Sequence, residues 1–401
     1  MIIKRKTILA PVVGTVLEYY DFALYGAFAP LISNYFFNTT NKDNLALLVY
    51  FVTFLMRPIG AIIFGHIGDL YGRRIAFGLP LMITAFCTLG IALIPSYNEI
   101  GILSSVLLII CRLGQGLCIG AEFGGALVFT SEHHSKNLGI VSGIIGFAVI
   151  LGSLFANFIS YILTLNIFPE SFWRVPFIIG SLIGVIGVWI RWNIDETPEF
   201  VKERKMNIPF FEVIKNYRIS VFKSAIYSGL NGLMGSFTFV YINFLLVNNL
   251  KWQINESLLV ISLAHVVALV STLMSGRLSQ RHGPEKIIKI CGFYLLIVMA
   301  PCMFFIKNNI VMIPILFLAL GTGVYWGSVN MLQYKLFPSQ LRYTGVSFGD
   351  SIGRIIFSAP VPFLCNILLI NFGFVSVIIV PVVVIIISLI ILIYSLSKFK
   401  P

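Results

Sequence analysis

Charged residues are scarce in this chain, and acidic residues are the scarcest. Only 11% of its 401 residues are charged, with 16 Asp and Glu against 28 Lys and Arg. A globular domain averages about 25% charged residues. Hydrophobic residues instead make up 58% of the chain. This composition excludes a soluble globular fold and indicates a protein that lies in a lipid bilayer.

Signals of catalysis and of metal binding are also lacking. The six cysteines fall in or beside apolar stretches without metal-ligand spacing, so they are expected to pack or to face lipid. No Ser/His/Asp set stands out, and His133 and His134 form only a short adjacent pair. We therefore expect a protein that is not an enzyme and has no cofactor.

Apolar stretches recur along the whole length of the chain. A helix needs about 20 apolar residues to cross the hydrocarbon core. Twelve stretches qualify: 8–37, 44–66, 74–95, 100–130, 138–164, 173–192, 220–248, 256–276, 287–306, 309–333, 342–370 and 372–396. The sequence thus predicts an all-α polytopic membrane protein with twelve transmembrane helices.

The basic residues predict the orientation of these helices. With the N-terminus in the cytoplasm, 21 of the 28 Lys and Arg fall on the cytoplasmic side, as expected from the positive-inside rule. Four fall on the opposite side: Lys42, Arg174, Lys251 and Lys307. The net charge of +12 therefore reflects membrane topology and not a nucleic-acid partner. Both termini are expected in the cytoplasm.

A polar interruption at 193–219 divides six apolar stretches from six. We expect an N-terminal six-helix bundle over 1–192, a cytoplasmic linker loop over 193–219 and a C-terminal six-helix bundle over 220–401. Transporters built from parallel repeats have this plan. Within the loop, Pro209–Arg218 is either an amphipathic helix on the inner surface or part of an ordinary linker.

A glycine-rich turn follows the second stretch. It contains Gly65, Asp69, Gly72, Arg73 and Arg74. The glycines allow close helix approach, and the Asp and Arg side chains can bind a helix N-terminus and acidic partners, which suggests a gating role. A weaker counterpart follows the eighth stretch, where Gln280 replaces the Asp and leaves the corresponding contact in doubt.

Together with several other short motifs, this turn resembles the major facilitator superfamily, in particular its metabolite:proton symporter branch. The runs that carry the resemblance include Leu17-Glu18-Tyr-Tyr-Asp21-Phe22, Arg57-Pro58-Ile-Gly60, Arg112-Leu-Gly-Gln-Gly116, Gly120-Ala-Glu122 and Glu196-Thr-Pro198. That branch includes carriers of proline and glycine betaine, oxoglutarate, citrate and shikimate. The resemblance implies a multi-pass protein of the bacterial inner membrane.

Three acids in the apolar stretches are candidates for proton coupling. Glu18 and Asp21 are three residues apart and share one helical face, and Glu122 lies in the fourth stretch. A charge near the bilayer centre costs roughly 2.5–3.5 kcal/mol on insertion scales, so such acids usually mark a substrate or proton path. The alternative is that they are structural partners of Arg57 or Arg112.

Two arginines and four aromatic residues are candidates for substrate binding. Arg57 and Arg112 lie within predicted spans, and the planar guanidinium suits a carboxylate. For Arg112 a structural ion pair is the alternative. Aromatic faces attract a quaternary ammonium. The candidates for that role are Tyr19, Tyr25, Tyr325 and Trp326.

Asp350 and Arg354 have the spacing of an intrahelical ion pair in the eleventh stretch. Mutual neutralisation is the simplest account of this pair, and a switch that opens when substrate arrives is the other. We include both residues among the gating candidates. His265, in the eighth stretch, is set aside because a lone His in a helix is more often a packed residue.

Four acids and three arginines lie in the predicted spans, which leaves one extra negative site. This near balance suits a zwitterion plus one proton. We therefore expect a monomeric symporter that takes up a small solute such as proline or glycine betaine by alternating access. The alternatives are a proton symporter of a small carboxylate and a sensor of the same fold that binds solute without moving it.

Overall fold

In the computed structural model, the described residues are 5–38, 42–165, 169–192 and 209–397. These residues are almost entirely helical and contain no strand. The first part of the predicted linker, 193–208, lies outside the described residues.

Within the described residues, helices form twelve rods that coincide with the twelve predicted stretches. They are α1 (Arg5–Ala27 and Ala29–Phe36), α2 (Lys42–Leu55 and Arg57–Leu70), α3 (Arg73–Leu93), α4 (Ile102–His133), α5 (Leu138–Thr164), α6 (Val175–Trp192), α7 (Arg218–Gly235, extended by turns to Asn249), α8 (Ile254–His282), α9 (Pro284–Lys307), α10 (Met312–Lys335), α11 (Arg342–Phe357 and Val361–Phe372) and α12 (Ile379–Ser397).

Ten helical segments of the described chain are long and apolar enough to cross a membrane, and a shorter apolar helix covers Gly78–Leu93. Large apolar side chains point outward from the rods. Ile102, Ile297 and Phe372 are each more than 70% exposed. An apolar outer surface of this kind requires lipid around it. The chain is therefore a multi-pass membrane protein, and the predicted count of twelve spans is compatible with these rods.

The turns α2–α3 and α8–α9 are built in the same way, which agrees with the repeat seen in the sequence. Gly72 precedes α3 with φ 121° and ψ 147°, and Gly283 precedes α9 with φ 84° and ψ 141°. Positive φ at both positions favours glycine. The two halves of the chain thus share a tight turn at the predicted cytoplasmic side.

Helices pack within each half and across the boundary between the halves. In the N-terminal half α1 packs on α5, and α3 packs on α4 and α6. In the C-terminal half α7 packs on α11, and α8 packs on α10. Between the halves, α5 lies against α8, while α2 and α4 lie against α11. These three helix pairs therefore form much of the interface of the two halves.

The second part of the predicted linker contains the helix Pro209–Asn216, directly before α7. Its Val213 is buried against Leu127 and Val128 of α4 and Leu341 at the start of α11, whereas Phe211 is exposed. A helix is thus present in this segment over Pro209–Asn216, and its buried side contacts α4 and the start of α11. Four of the six cysteines are buried and Cys87 and Cys111 are half-buried, which agrees with a packing role.

Gly60 is required by the close approach of α2 to α4. A Cβ atom added at this position would lie only 1.6 Å from the backbone oxygen of Leu117. We expect Gly60→Ala to destabilise the protein by about 1–3 kcal/mol, because a backbone atom cannot move aside as a side chain does. The measurement is the thermal unfolding midpoint of the purified protein in detergent.

Gly26→Ala in α1 is the matched control, since a Cβ added there meets nothing within 4 Å. We expect its midpoint to equal that of the wild type or to exceed it slightly. Equal midpoints for the two variants would contradict the close packing of α2 on α4.

Candidate functional site

A chain of hydrogen bonds joins Asp21 of α1 to Arg112 of α4. The Thr88 hydroxyl of α3 donates to Asp21 Oδ2 at 2.7 Å, and Gln115 Nε2 donates to Thr88 Oγ1 at 2.8 Å. Arg112 in turn donates to Gln115 Oε1 at 2.8 Å. Two neutral side chains therefore connect a buried carboxylate to a buried guanidinium within the N-terminal half.

Several polar atoms of this chain have further bonding capacity. Asp21 Oδ1 and two nitrogens of Arg112, Nε and one terminal nitrogen, are buried without a hydrogen-bond partner among the described residues. The Arg112 guanidinium also lies 4.1 Å from the ring centre of Tyr25. Buried polar groups are rarely left unpaired in proteins, and exceptions often mark functional groups. These atoms are available to a proton or a polar ligand.

Aromatic rings surround Arg57, which is 1% exposed. Its guanidinium lies 4.5 Å from the ring centre of Phe54 and 5.3 Å from that of Phe22. The Phe22 ring is also 5.8 Å from the Arg112 guanidinium. The two arginines predicted to bind substrate thus both lie within about 6 Å of the centre of one aromatic ring, which attracts both cations.

The ion pair predicted from sequence spacing is present in α11. Arg354 Nε lies 2.9 Å from Asp350 Oδ2, and the Arg354 guanidinium lies 5.3 Å from the ring centre of Phe123 in α4. Tyr19 lies close enough to this pair and to Arg57 for their charges to act on its hydroxyl. Its hydroxyl is buried without a hydrogen-bond partner among the described residues. These groups bring the two halves together near the middle of the helices.

Glu18 and Asp21 share a helix but have different charged neighbours. Glu18 is within electrostatic reach of Arg57 and Arg354, whereas Asp21 is within reach of Arg112. Glu122 of α4 is buried like the other two acids. All three proton-coupling candidates therefore lie in the protein interior.

Tyr325 and Trp326 are adjacent in α10 but have different surroundings. The Tyr325 hydroxyl donates to the backbone oxygen of Tyr227 at 3.2 Å, inside the C-terminal half. Trp326 belongs to an apolar cluster that also contains Tyr19 and Phe123 from the N-terminal half. Tyr325 belongs to the same cluster, so both residues of this pair are placed with residues of both halves and differ in their hydrogen-bond partners.

The halves are in contact at the predicted cytoplasmic side. Asp69 at the end of α2 accepts hydrogen bonds from the backbone N–H, at 3.0 Å, and the hydroxyl of Thr344, near the N-terminus of α11. A Cβ atom added at Gly65 would lie 3.0 Å from the Thr344 Cα. Arg342 also lies 3.5 Å from Glu132 of α4.

A second contact of this kind was left in doubt by the sequence. Gln280 at the end of α8 accepts the N–H of Gly139 at 2.7 Å and donates to the backbone oxygen of Lys136 at 3.1 Å. A side-chain amide both donates and accepts, so it replaces the expected Asp here. The side chains of Arg73 and Arg74 lie outside the described part of the structure.

Comparison with known proteins identifies relatives of this architecture. The sequence profile described as Major Facilitator Superfamily matches residues 12–359. An inner membrane metabolite transport protein, YhjE of Escherichia coli K12, is 28% identical over 400 residues, which cover 92% of this chain and 89% of that protein. The proline/betaine transporter of the same strain is 26% identical over 376 residues, which cover 88% of this chain and 75% of that protein.

A solved structure of the proton:xylose symporter XylE, bound to 6-bromo-6-deoxy-D-glucose, has the same fold. It superimposes with a TM-score of 0.80 at 14% sequence identity, and covers 99% of this chain and 95% of that chain. At this low identity the similarity concerns the arrangement of helices alone.

The Asp350–Arg354 pair should show strong energetic coupling. Replacing one partner, as in Asp350→Asn, leaves a buried charge without compensation and is expected to cost about 3–5 kcal/mol. The double variant Asp350→Asn/Arg354→Gln should lose less, since neither buried charge remains. Thermal unfolding midpoints of the two single variants and the double variant measure this cycle. Additive losses would show that the pair is not coupled.

Proposed function

Because this chain belongs to the Major Facilitator Superfamily, we propose that it is a proton-coupled symporter that takes up a small zwitterion such as proline or glycine betaine. The chain is a multi-pass membrane transporter of this superfamily, with curated relatives that carry transport names. Proton coupling and the choice of solute are what the proposal adds.

The chain from Asp21 to Arg112 is the observation that carries the proposal. It links an intramembrane acid to a candidate carboxylate-binding arginine through Thr88 and Gln115. Protonation of Asp21 removes its negative charge and alters the hydrogen bond from Thr88. Because these bonds are contiguous, the change reaches the donors that Arg112 offers to a solute. Glu18 and Glu122 are the other two candidates for carrying the proton.

The balance of buried charge favours a zwitterion. Asp350 and Arg354 neutralise each other at 2.9 Å. The other buried candidates for proton coupling and substrate binding are three acids, Glu18, Asp21 and Glu122, and two arginines, Arg57 and Arg112, so one proton brings this set to balance. A zwitterion has no net charge and preserves that balance, whereas an anion without further protons does not.

The contacts between the halves support alternating access as the mechanism of the proposed symporter. The bundles predicted over 1–192 and 220–401 would rock against each other about the central residues. Asp69 and Gln280 hold helix N-termini of the opposite half with hydrogen bonds that water can replace. In the proposal these contacts open when the predicted cytoplasmic side opens.

A symporter of a small dicarboxylate is the second candidate. Its support is the placement of Arg57 and Arg112 near the same Phe22 ring, which would let two neighbouring guanidinium groups bind one dianion.

Uptake into proteoliposomes decides between the two candidates. We expect labelled proline or glycine betaine to accumulate when an inward proton gradient is imposed, and not after the gradient is collapsed. Accumulation of oxoglutarate alone would support the dicarboxylate candidate. Gradient-dependent transport of none of the three would contradict both candidates, and binding without transport would indicate a sensor.

Two variants test the residues. Arg57→Ala and Asp21→Asn should each insert into the membrane normally and lose gradient-driven uptake, since one removes a solute contact and the other a proton site. Arg277→Ala, at an exposed position of α8, is the control and should retain uptake. Full uptake by both test variants would refute the site assignment.

A further inference from the structure

We propose that the solute lies across the two halves, with its ammonium group on Trp326, Phe239 and Asn231 of the C-terminal half. Its carboxylate lies on Arg57 and Tyr19 of the N-terminal half, where Arg112 is near the same Phe22 ring as Arg57 and offers further donors. This inference rests on the proposed function, and it assigns the two ends of the zwitterion to different bundles.

The aromatic part of this surface lies where α7 departs from regular α-helix. Phe239 belongs to the π-helical turn Ser236–Tyr241. Such turns are rare, occur mostly singly within α-helices and are frequently found at functional sites. Its ring is 6.4 Å from that of Trp326 at 64°. A Cβ atom at Gly235 would lie 2.7 Å from Trp326 Cζ2, so the glycine lets the indole reach α7. The irregular turn and the glycine together place two rings side by side.

His265, which the sequence analysis set aside, holds the Phe239 ring in place. The two rings stack with centres 3.9 Å apart and planes at 23°. His265 Nδ1 lies 2.8 Å from the backbone oxygen of Ile261, so this nitrogen carries the proton and the ring orientation is fixed. His265 is thus a positioning residue for one face of the proposed surface.

Asn231 supplies an acceptor beside the indole. Its backbone oxygen accepts Trp326 Nε1–H at 2.7 Å. Its side-chain Oδ1 is buried without a hydrogen-bond partner among the described residues. An unused acceptor next to an aromatic face fits an ammonium group that carries N–H bonds. This arrangement favours a secondary ammonium such as that of proline over a quaternary ammonium.

The N-terminal half supplies hydrogen-bond donors, Tyr19 and Arg57. Tyr19 shares an apolar cluster with Trp326 and Phe239, and its buried hydroxyl is without a hydrogen-bond partner among the described residues. Arg57 Nε is likewise buried without a hydrogen-bond partner among the described residues, and Arg57 lies close enough to Tyr19 for the two groups to interact electrostatically. Donors suit a carboxylate, and acceptors with aromatic faces suit a cation.

Arg354 connects these two groups in space. It lies within electrostatic reach of Tyr19, and a Cβ atom at Gly232, next to Asn231, would lie 3.3 Å from Arg354 Cγ. A solute that carries both charges therefore contacts both bundles at once. A solute with only one of the charges contacts only one bundle and cannot couple their movement.

Two compounds that each carry one end of the zwitterion test this assignment, as competitors of labelled proline for binding to the purified protein. Choline carries the cation without a carboxylate, and cyclopentanecarboxylate carries the carboxylate without a cation. We expect Trp326→Leu to weaken choline about tenfold or more and to leave cyclopentanecarboxylate unchanged, because a desolvated cation–π contact is lost. Arg57→Ala should weaken the binding of cyclopentanecarboxylate and leave that of choline unchanged.

Matched variants separate this role from damage to the fold. Trp326→Phe keeps an aromatic face and should retain choline binding. Tyr241→Phe, in the same π-helical turn as Phe239, should leave the binding of both competitors unchanged. Asn231→Leu should raise the KM for proline and leave that for glycine betaine, which has no N–H, unchanged.

The results distinguish the failure of this inference from failure of the proposed function. Equal weakening of both competitors by Trp326→Leu, or by Arg57→Ala, would overturn the assignment while proline transport by the wild type still stands. Wild-type protein that neither binds nor transports proline or glycine betaine would refute the proposed function, and this inference with it.

Discussion

The cost of placing charge in a low-dielectric interior governs the arrangement of this protein. Several intramembrane charges lie beside a group that offsets this cost. Arg354 is paired with Asp350, Asp21 is joined to Arg112 through two neutral side chains, and Arg57 lies against aromatic rings. Because removing a compensating partner costs several kcal/mol, these groups act as sets. A proton or a charged solute that enters changes the balance of a whole set, which is the physical basis for coupling in the proposed mechanism.

The first N–H groups of a helix have no partner within the helix and need an acceptor elsewhere. This requirement accounts for two contacts between the halves. Asp69 meets this need for α11, and Gln280 meets it for α5, each from the opposite half. These contacts differ in charge, since one acceptor is a carboxylate and the other an amide. Water can satisfy the same N–H groups, so in the proposed mechanism these bonds hold the halves together on this side without preventing their separation.

Local patterns predicted much of this arrangement correctly. Apolar length predicted the helical rods, because a bilayer requires a certain number of apolar residues wherever they occur. The spacing of Asp350 and Arg354 predicted their ion pair, because four residues bring two side chains onto one face. Patterns were less informative where neighbours in space decide. Tyr325 and Trp326 are adjacent and aromatic, yet the Tyr325 hydroxyl donates to the backbone oxygen of Tyr227 while the Trp326 indole donates to that of Asn231.

The sequence by itself determined that this chain crosses a membrane repeatedly, that its halves are related and which charged residues lie at depth. Hydrophobicity and charge are properties of each residue and can be read without coordinates. Only the tertiary structure decided that Thr88 and Gln115 join Asp21 to Arg112, that Gln280 replaces an Asp at the second turn, and that His265 stacks on Phe239. These contacts join residues from different helices or depend on local departures from ideal helix. The relative rotation and translation of packed helices determine them, and no spacing along one chain encodes those quantities.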